Sequence, residues 1–256
     1  MKILVAIKQV PSRDAQLKIT ADERWIDESD LTFEINEPDA YALEEALQLR
    51  EKHGGEVVVL CAGPERAASS LREALAKGAD RAVHVVEDRL ETAGGFHLGQ
   101  LLAKAIADES PDLVLTGLQS DDFGNGQTGV VAAELLGLPH ATIIMQVEAG
   151  EGSIRVKREL EDGWFQHITL PLPAVLTIQS GINKLRYATL MGIKKARAKE
   201  IRTTNAAGLG VSLAAGAAIE RVYAPSRSKQ TVLLEGSPSE QAAQLVEKLQ
   251  REVRVL

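Results

Sequence analysis

The chain has 256 residues, 45% of them hydrophobic and only 4% aromatic, and carries a net charge of −7. That length can bury a sizeable core and suits one domain with an extension, while the negative balance excludes nucleic acid as the main partner. A single cysteine, Cys61, excludes intrachain disulfides and cysteine-rich metal sites. It also suits a reducing cytoplasm. The chain opens directly on a strand pattern, and no signal peptide, transit peptide or apolar span of membrane length is read, so a cytoplasmic location is the expectation.

Ile3–Ile7 is a short apolar run that reads as a buried strand. Asp39, after Pro38, is expected to cap a helix with Ala42, Leu43, Ala46 and Leu47 on its apolar face. That helix is acidic early and basic late, and stops at Gly54-Gly55. Val57–Cys61 follows as a strand, residues 65–77 as a helix ending at Gly78, and Ala82–Val86 as a third strand. Leu98, Leu101, Leu102 and Ile106 share one face of a helix over 96–107, before a strand at Leu113–Thr116. A helix over 127–136 stops at Gly137 and leads into a strand at Ala141–Met145. Apolar strands alternating with helices define an α/β fold, a flavodoxin- or Rossmann-like, mostly parallel sheet covered on both faces.

After Gly150 the rhythm changes. Residues 154–159 and 165–170 flank Glu161-Asp162-Gly163 and read as a hairpin, and the run Pro173–Ile178 is one more buried strand. From residue 200 elements become sparse: only 231–234, strand-like, and 238–251, a helix after Ser237-Pro238, look ordered. The expected division is therefore an α/β domain over 1–199, including a loop at about 183–199, and a C-terminal arm over 200–256. Such an arm rarely builds its own core, which suits wrapping around a partner subunit.

Two motifs carry the most information. The first is Val156-x-Arg158-x-x-Glu161-Asp162-Gly163-x-x-Gln166-x-Ile168, followed by Pro173-x-Val175-Leu176-Thr177-Ile178; the second is Arg186-Tyr187-Ala188-Thr189-Leu190. Together, in this order, they resemble the signature and the partner-recognition loop of the electron transfer flavoprotein β subunit, and the resemblance runs the whole length of the chain. It is nearest to the branch whose partner is a trimethylamine dehydrogenase. The resemblance implies an electron carrier rather than an enzyme. It pairs with an α subunit that holds the redox-active FAD, takes electrons from a flavoprotein dehydrogenase and passes them to a membrane quinone oxidoreductase. The few aromatic residues agree with a flavin held mostly on another subunit.

Ligands of open α/β sheets bind beyond the carboxyl ends of the strands. Four segments fall there: Ala6-Ile-Lys8, Asn36-Glu37-Pro38-Asp39, Ala62-Gly63-Pro64, and the loop 117–128. That loop, with Gly117, Gln119, Ser120, Asp121, Asp122, Asn125, Gly126, Gln127 and Thr128, ends at a helix N-terminus, which attracts phosphate. Gln127 and Thr128 can add donors, and Asp121 or Asp122 can accept from a ribose or order the loop. Gly124–Gly129 matches G-x-G-x-x-G only weakly, since its glycines start seven residues beyond the strand. By resemblance, Ala6, Asn36–Asp39, Ala62 and Gly117–Thr128 form a site for AMP, a structural cofactor outside the electron path. In some members of the family this pocket holds a second FAD for bifurcation. The Asn125-x-Gln127-Thr128-Gly129 ending is nearer the AMP branch, although the Gly124-x-Gly126 spacing departs from it.

The five histidines show no metal-ligand spacing, and no nucleophile–base arrangement stands out. Glu159, Glu161 and Asp162, beside Gly163, read as hairpin solvation. Lys184, Arg186, Lys194, Lys195, Arg197 and Lys199 form a basic run without an acid between them. Tyr187, Leu190, Met191 and Ile193 are interleaved with it, which suits a docking surface of apolar anchor plus steering charge. By resemblance Leu190 is the anchor; the alternative is that Leu190 packs into the chain's own core. A second function class stays open, a stand-alone adenine-nucleotide-binding stress-type protein or nucleotide-cleaving enzyme, against which the long segment after residue 180 speaks.

Overall fold

The computed structural model describes residues 1–88, 90–213, 219–226 and 231–255. Its first strand, β1 (Lys2–Ala6), is followed by β2 (Gln9–Pro11), β3 (Phe33–Ile35) and α1 (Glu37–His53). Next come β4 (Glu56–Gly63), α2 (Ala68–Lys77), β5 (Arg81–Val86) and α3 (Gly94–Glu109). The chain then forms β6 (Leu113–Gly117), α4 (Thr128–Leu136), β7 (His140–Ala149), β8 (Ser153–Glu159), β9 (Phe165–Pro171) and β10 (Ala174–Ile178). Helix α5 (Leu190–Ala196), strand β11 (Ile201–Thr204) and helix α6 (Pro238–Lys248) complete the set.

Nine strands make one sheet in the order β11-β5-β4-β1-β6-β10-β7-β8-β9. The pairs from β11 through β7 are parallel, and β8 and β9 extend the sheet as an antiparallel hairpin. The apolar strands have no polar face because both faces are covered. Ile3, Val5, Val57, Val59 and Cys61 pack with Leu43, Leu47, Leu71 and Leu75 of α1 and α2. The alternate residues Leu4, Val58 and Leu60 pack with Leu101, Ile106, Ala132 and Ala133 of α3 and α4. Period-two alternation thus divides one hydrophobic run between two cores. In β7 the ladder slips where Ile143 stands at φ 60, a β-branched residue in the left-handed region, as pairing passes from β10 to β8.

The structure differs from the sequence reading in several places. The three-residue strands β2 and β3 form a separate antiparallel ribbon, too short for periodicity to announce. Strand β11, unread in the sequence, closes the open edge of β5. Residues 231–234 are not a strand, because none of them finds a partner in a ladder among the described residues. The helix begins at Glu37, after Asn36, rather than being capped by Asp39, which lies inside its first turn. Residues Met1–Arg221 form one compact unit and Val222–Leu256 a second. Within the second, α6 carries a Ser237–Glu240 capping box and no buried residue.

One buried carboxylate joins four elements of the main unit. Glu109, at the end of α3, accepts from Lys2 of β1 at 3.0 Å, Arg81 of β5 at 2.6 Å and Arg202 of β11 at 2.8 Å. The Arg81 hydrogen bond, helped by those of Lys2 and Arg202, holds its carboxyl down at about 2. A depressed folded-state pKa stabilises the fold fully above the unfolded value near 4.5, and that stability is lost as pH falls from there towards 2. Glu109→Gln should therefore cost about 2–3 kcal/mol at neutral pH and flatten the pH dependence of unfolding between about 4.5 and 2. Urea titrations at pH 7 and pH 3 check this; equal losses at both pH values would reject the assignment.

Candidate functional site

Parallel pairing brings the carboxyl ends of β4, β1 and β6 side by side, with Ala6 opposite both Leu60 and Thr116. Ala6, Ala62 and Gly117 therefore edge one crevice at the strand ends, and the head of α1 meets it through the contact of Asp39 with Gly117. The contacts between α1 and the loop after β6 are reciprocal. Asn36 Nδ2 donates to Gln119 O at 3.0 Å, and Asn36 Oδ1 accepts from Asp121 N at 2.8 Å. Asp121 in turn accepts from Glu37 N at 3.1 Å, capping an orphan donor of α1 from across the crevice. Asp121 thus orders the loop. Glu37 pairs through its side chain with Arg13.

Asp39 is the bracket between β1 and β6. Its carboxylate accepts from Lys8 N at 2.7 Å and from Gly117 N at 2.8 Å. Burial pushes its carboxyl up to about 7, against the pull of those two backbone donors. Gly117 has no room for a side chain: an added Cβ would stand 2.7 Å from Pro38 Cβ, 2.8 Å from Asp39 N and closer still to Asp39 Oδ1. The same burial pushes the Cys61 thiol up to about 12, so it is an inert core residue.

The loop beyond Gly117 turns on two glycines in the left-handed region, Gly124 at φ 64 and Gly126 at φ 61. Asp121–Gln127 are exposed, and Thr128 begins α4. No side chain caps α4, so its first N–H groups face the crevice end of the sheet unpaired by a cap. Gly129 lets this terminus rest on the sheet; a Cβ there would stand 2.7 Å from Thr116 Oγ1 and 2.9 Å from Thr177 Cγ2. Gln127 turns towards α3, beside Gly95. Ser120 and Asp122 receive Lys8 Nζ at 3.4 and 2.6 Å.

The sequence put Lys8 at the strand end but gave it no role, and did not reveal the aromatic contact beside it. The Lys8 ammonium lies 4.8 Å from the Phe123 ring centroid, and Phe123 stacks on Trp25 at 6.2 Å. Gln9, Arg66, Glu28 and Phe33 then tie this segment to the start of α2. The available signal was a phenylalanine isolated in an otherwise polar loop of an aromatic-poor chain.

The second candidate surface lies on α5. Thr189 Oγ1 caps the helix by accepting from Gly192 N at 3.0 Å. Gly192 and Ala196, four residues apart, form the inner face against α2, where a Cβ on Gly192 would collide with Ala76 O. Arg72 Nη1 closes the other end on Ala196 O and Lys199 O, both at 2.7 Å. That seating turns Leu190, Met191, Ile193, Lys194 and Lys195 outwards. Leu190 is 88% exposed and Tyr187 93%, so Leu190 is not part of the chain's own core. Of the six basic residues, Arg186 and Lys199 are engaged within the chain and Lys184, Lys194, Lys195 and Arg197 are exposed. His84 is buried against Gly63 O, as a structural histidine, and Asp162 and Gly163 take the positive φ values of a hairpin turn. Among the described residues no cluster of side chains could hold a metal ion, and no helix is long and apolar enough to cross a membrane.

The chain thus combines an open, mostly parallel α/β sheet, a helix N-terminus at its strand ends, and a helix with an exposed apolar and basic face. Comparison with known proteins narrows the class. The family described as the electron transfer flavoprotein domain matches residues 24–209. The chain is 41% identical to the electron transfer flavoprotein subunit beta of Methylophilus methylotrophus, over 96% of this chain and 97% of that one. It is 35% identical to the subunit beta of Bacillus subtilis and 36% to the mitochondrial subunit beta of Oryza sativa subsp. japonica, in each case over the full length of both chains. The chain belongs to the electron transfer flavoprotein family, as a β subunit.

Proposed function

We propose that this chain pairs with an α subunit as a soluble cytoplasmic electron transfer flavoprotein, binds AMP in the crevice, and docks a flavoprotein dehydrogenase through α5. FAD would lie mainly on the α subunit, with this chain closing one side of its site and electrons leaving for a quinone oxidoreductase. The chain itself would make and break no bonds. The observation that carries the docking is Leu190, exposed at the head of a capped helix whose inner face is already seated on α2. Full-length similarity to β subunits favours this over a stand-alone nucleotide-binding protein. The expected arm, whose helix α6 has no buried residue, would cover part of the α subunit.

A nucleoside monophosphate would occupy the crevice. Ala6, Ala62 and Gly117 would keep its floor small, and the uncapped head of α4, from Gln127 and Thr128 on, would offer backbone donors to a phosphate. Asn36, Glu37, Pro38 and Asp39 would wall the site, while Gln119, Ser120, Asp121, Asp122, Asn125 and Gly126 would line its loop. Since Asn36, Asp39 and Asp121 spend their side chains on backbone groups of Lys8, Glu37, Gly117, Gln119 and Asp121, their part is to hold the wall rather than to grip the ligand.

Denaturing the purified α/β complex should release AMP and FAD in near-equal amounts. Release of two FAD and no AMP would replace this reading with the bifurcating one. Thr128→Glu sets a carboxylate against the phosphate and should weaken assembly by about 1–3 kcal/mol, measured as subunit dissociation.

A further inference from the structure

We propose that Arg186 is a positioning residue for electron transfer: its clamp on two carboxylates of α1 sets where the anchor Leu190 stands, and it does not steer the partner by charge. This rests on the docking reading above.

Arg186 spends its guanidinium on this chain. Nε donates to Glu44 Oε2 at 2.7 Å and Nη2 to Glu44 Oε1 at 3.0 Å. Nη1 and Nη2 donate to the two oxygens of Glu51 at 2.5 and 3.2 Å. Glu44 and Glu51 lie on the same α1 face two turns apart, so one planar fork engages both in a bidentate manner, which a lysine cannot reproduce. Two carboxylates around one guanidinium also leave a local charge of −1, a poor source of attraction for an acidic partner.

The rest of the segment is fixed at both sides of this clamp. Upstream, Asn183 Nδ2 donates to Tyr41 O at 3.2 Å and to Glu45 Oε2 at 3.1 Å, again on α1. Downstream, Thr189 caps α5 and Gly192 seats it on α2. Leu190 is four residues beyond Arg186, at most about 14 Å of extended chain. Tyr187 and Leu190 therefore stand outside on a short span held at each end. The anchoring helix is α1, whose first turn is built into the crevice through Asn36 and Asp39. An exposed anchor gains most from such support, because ordering a free loop on contact would weaken docking.

The experiment uses the purified α/β complex, with a flavoprotein dehydrogenase that reduces its flavin as the electron donor, and compares wild type with Leu190→Ala, Glu51→Gln, Arg186→Gln and Arg186→Lys. Glu51→Gln is the decisive variant, since Glu51 is half exposed and loss of its charge makes the surface more basic. Positioning predicts a KM for the complex raised about 3–10-fold with kcat within about twofold, and amide exchange over 187–193 faster by about tenfold. Arg186→Gln should exceed this, and Arg186→Lys should remain impaired despite its charge. A lower KM in Glu51→Gln, or unchanged KM and exchange, overturns the proposal. If Leu190→Ala raises KM while Glu51→Gln does not, the clamp alone is wrong. If Leu190→Ala leaves KM unchanged, the docking reading falls and the clamp with it.

Discussion

Truncation of Leu190 to alanine in the assembled complex should leave flavin content and melting temperature nearly unchanged while electron transfer from the dehydrogenase falls at least about thirtyfold. The argument is one of exposure. A buried leucine costs roughly 2–5 kcal/mol of stability when cut to alanine, because it leaves a cavity. Leu190 leaves none, being 88% exposed on the outer face of α5. An interface anchor instead costs at least about 2 kcal/mol of binding, which is the thirtyfold. Removing Lys194 and Lys195 should act differently, slowing association and weakening its salt dependence if the partner surface is acidic. Stopped-flow flavin reduction at several ionic strengths separates the two signatures. A melting temperature lowered by several degrees in Leu190→Ala would place the residue in a core and end the docking claim.

Gly117→Ala should destabilise the complex by about 2–4 kcal/mol and abolish AMP retention. One methyl group does this because its neighbours cannot move aside: they are Pro38, the backbone of Asp39 and the Asp39 carboxylate, all in the first turn of α1. The head of α1 would shift off β6, and the Gly117 N–H would lose its bond to Asp39. Gly181→Ala is the control. It has open space but a φ of 87, so it should cost only about 1–2 kcal/mol and leave AMP in place. Comparable losses in the two variants would show that Gly117 answers to backbone freedom alone, and not to the packing of strand end against helix.

The elements most legible in the sequence were those with a strong local cause. Long apolar runs such as Val57–Cys61, flanked by glycine stops, announced strands with both faces covered, and the amphipathic spacing of Leu98, Leu101, Leu102 and Ile106 announced α3. Asp39 was misread for a related reason: a carboxylate after proline at a helix start has the local signature of a cap. Its carboxylate instead serves Lys8 and Gly117, one of them 78 residues away. The short β2 and β3 had no periodicity to reveal them, and residues 231–234 had strand-like composition without a ladder partner among the described residues.

By itself the chain's sequence determined the alternation of strand and helix, the glycines that stop α1, α2 and α4, the basic and apolar mixture around Leu190, and the motifs that place it among β subunits. These follow from periodicity and backbone chemistry, which act within a few residues. Only the tertiary structure decided that Leu190 points outwards, that Arg186 clamps α1 and that Lys8 meets Phe123. It also decided that Asn36, Asp39 and Asp121 brace the strand ends by bonding the backbones of Lys8, Glu37, Gly117, Gln119 and Asp121. Each of those depends on hydrogen bonds and close contacts between residues tens of positions apart, whose meeting is set by strand order and helix packing and leaves no trace in local composition.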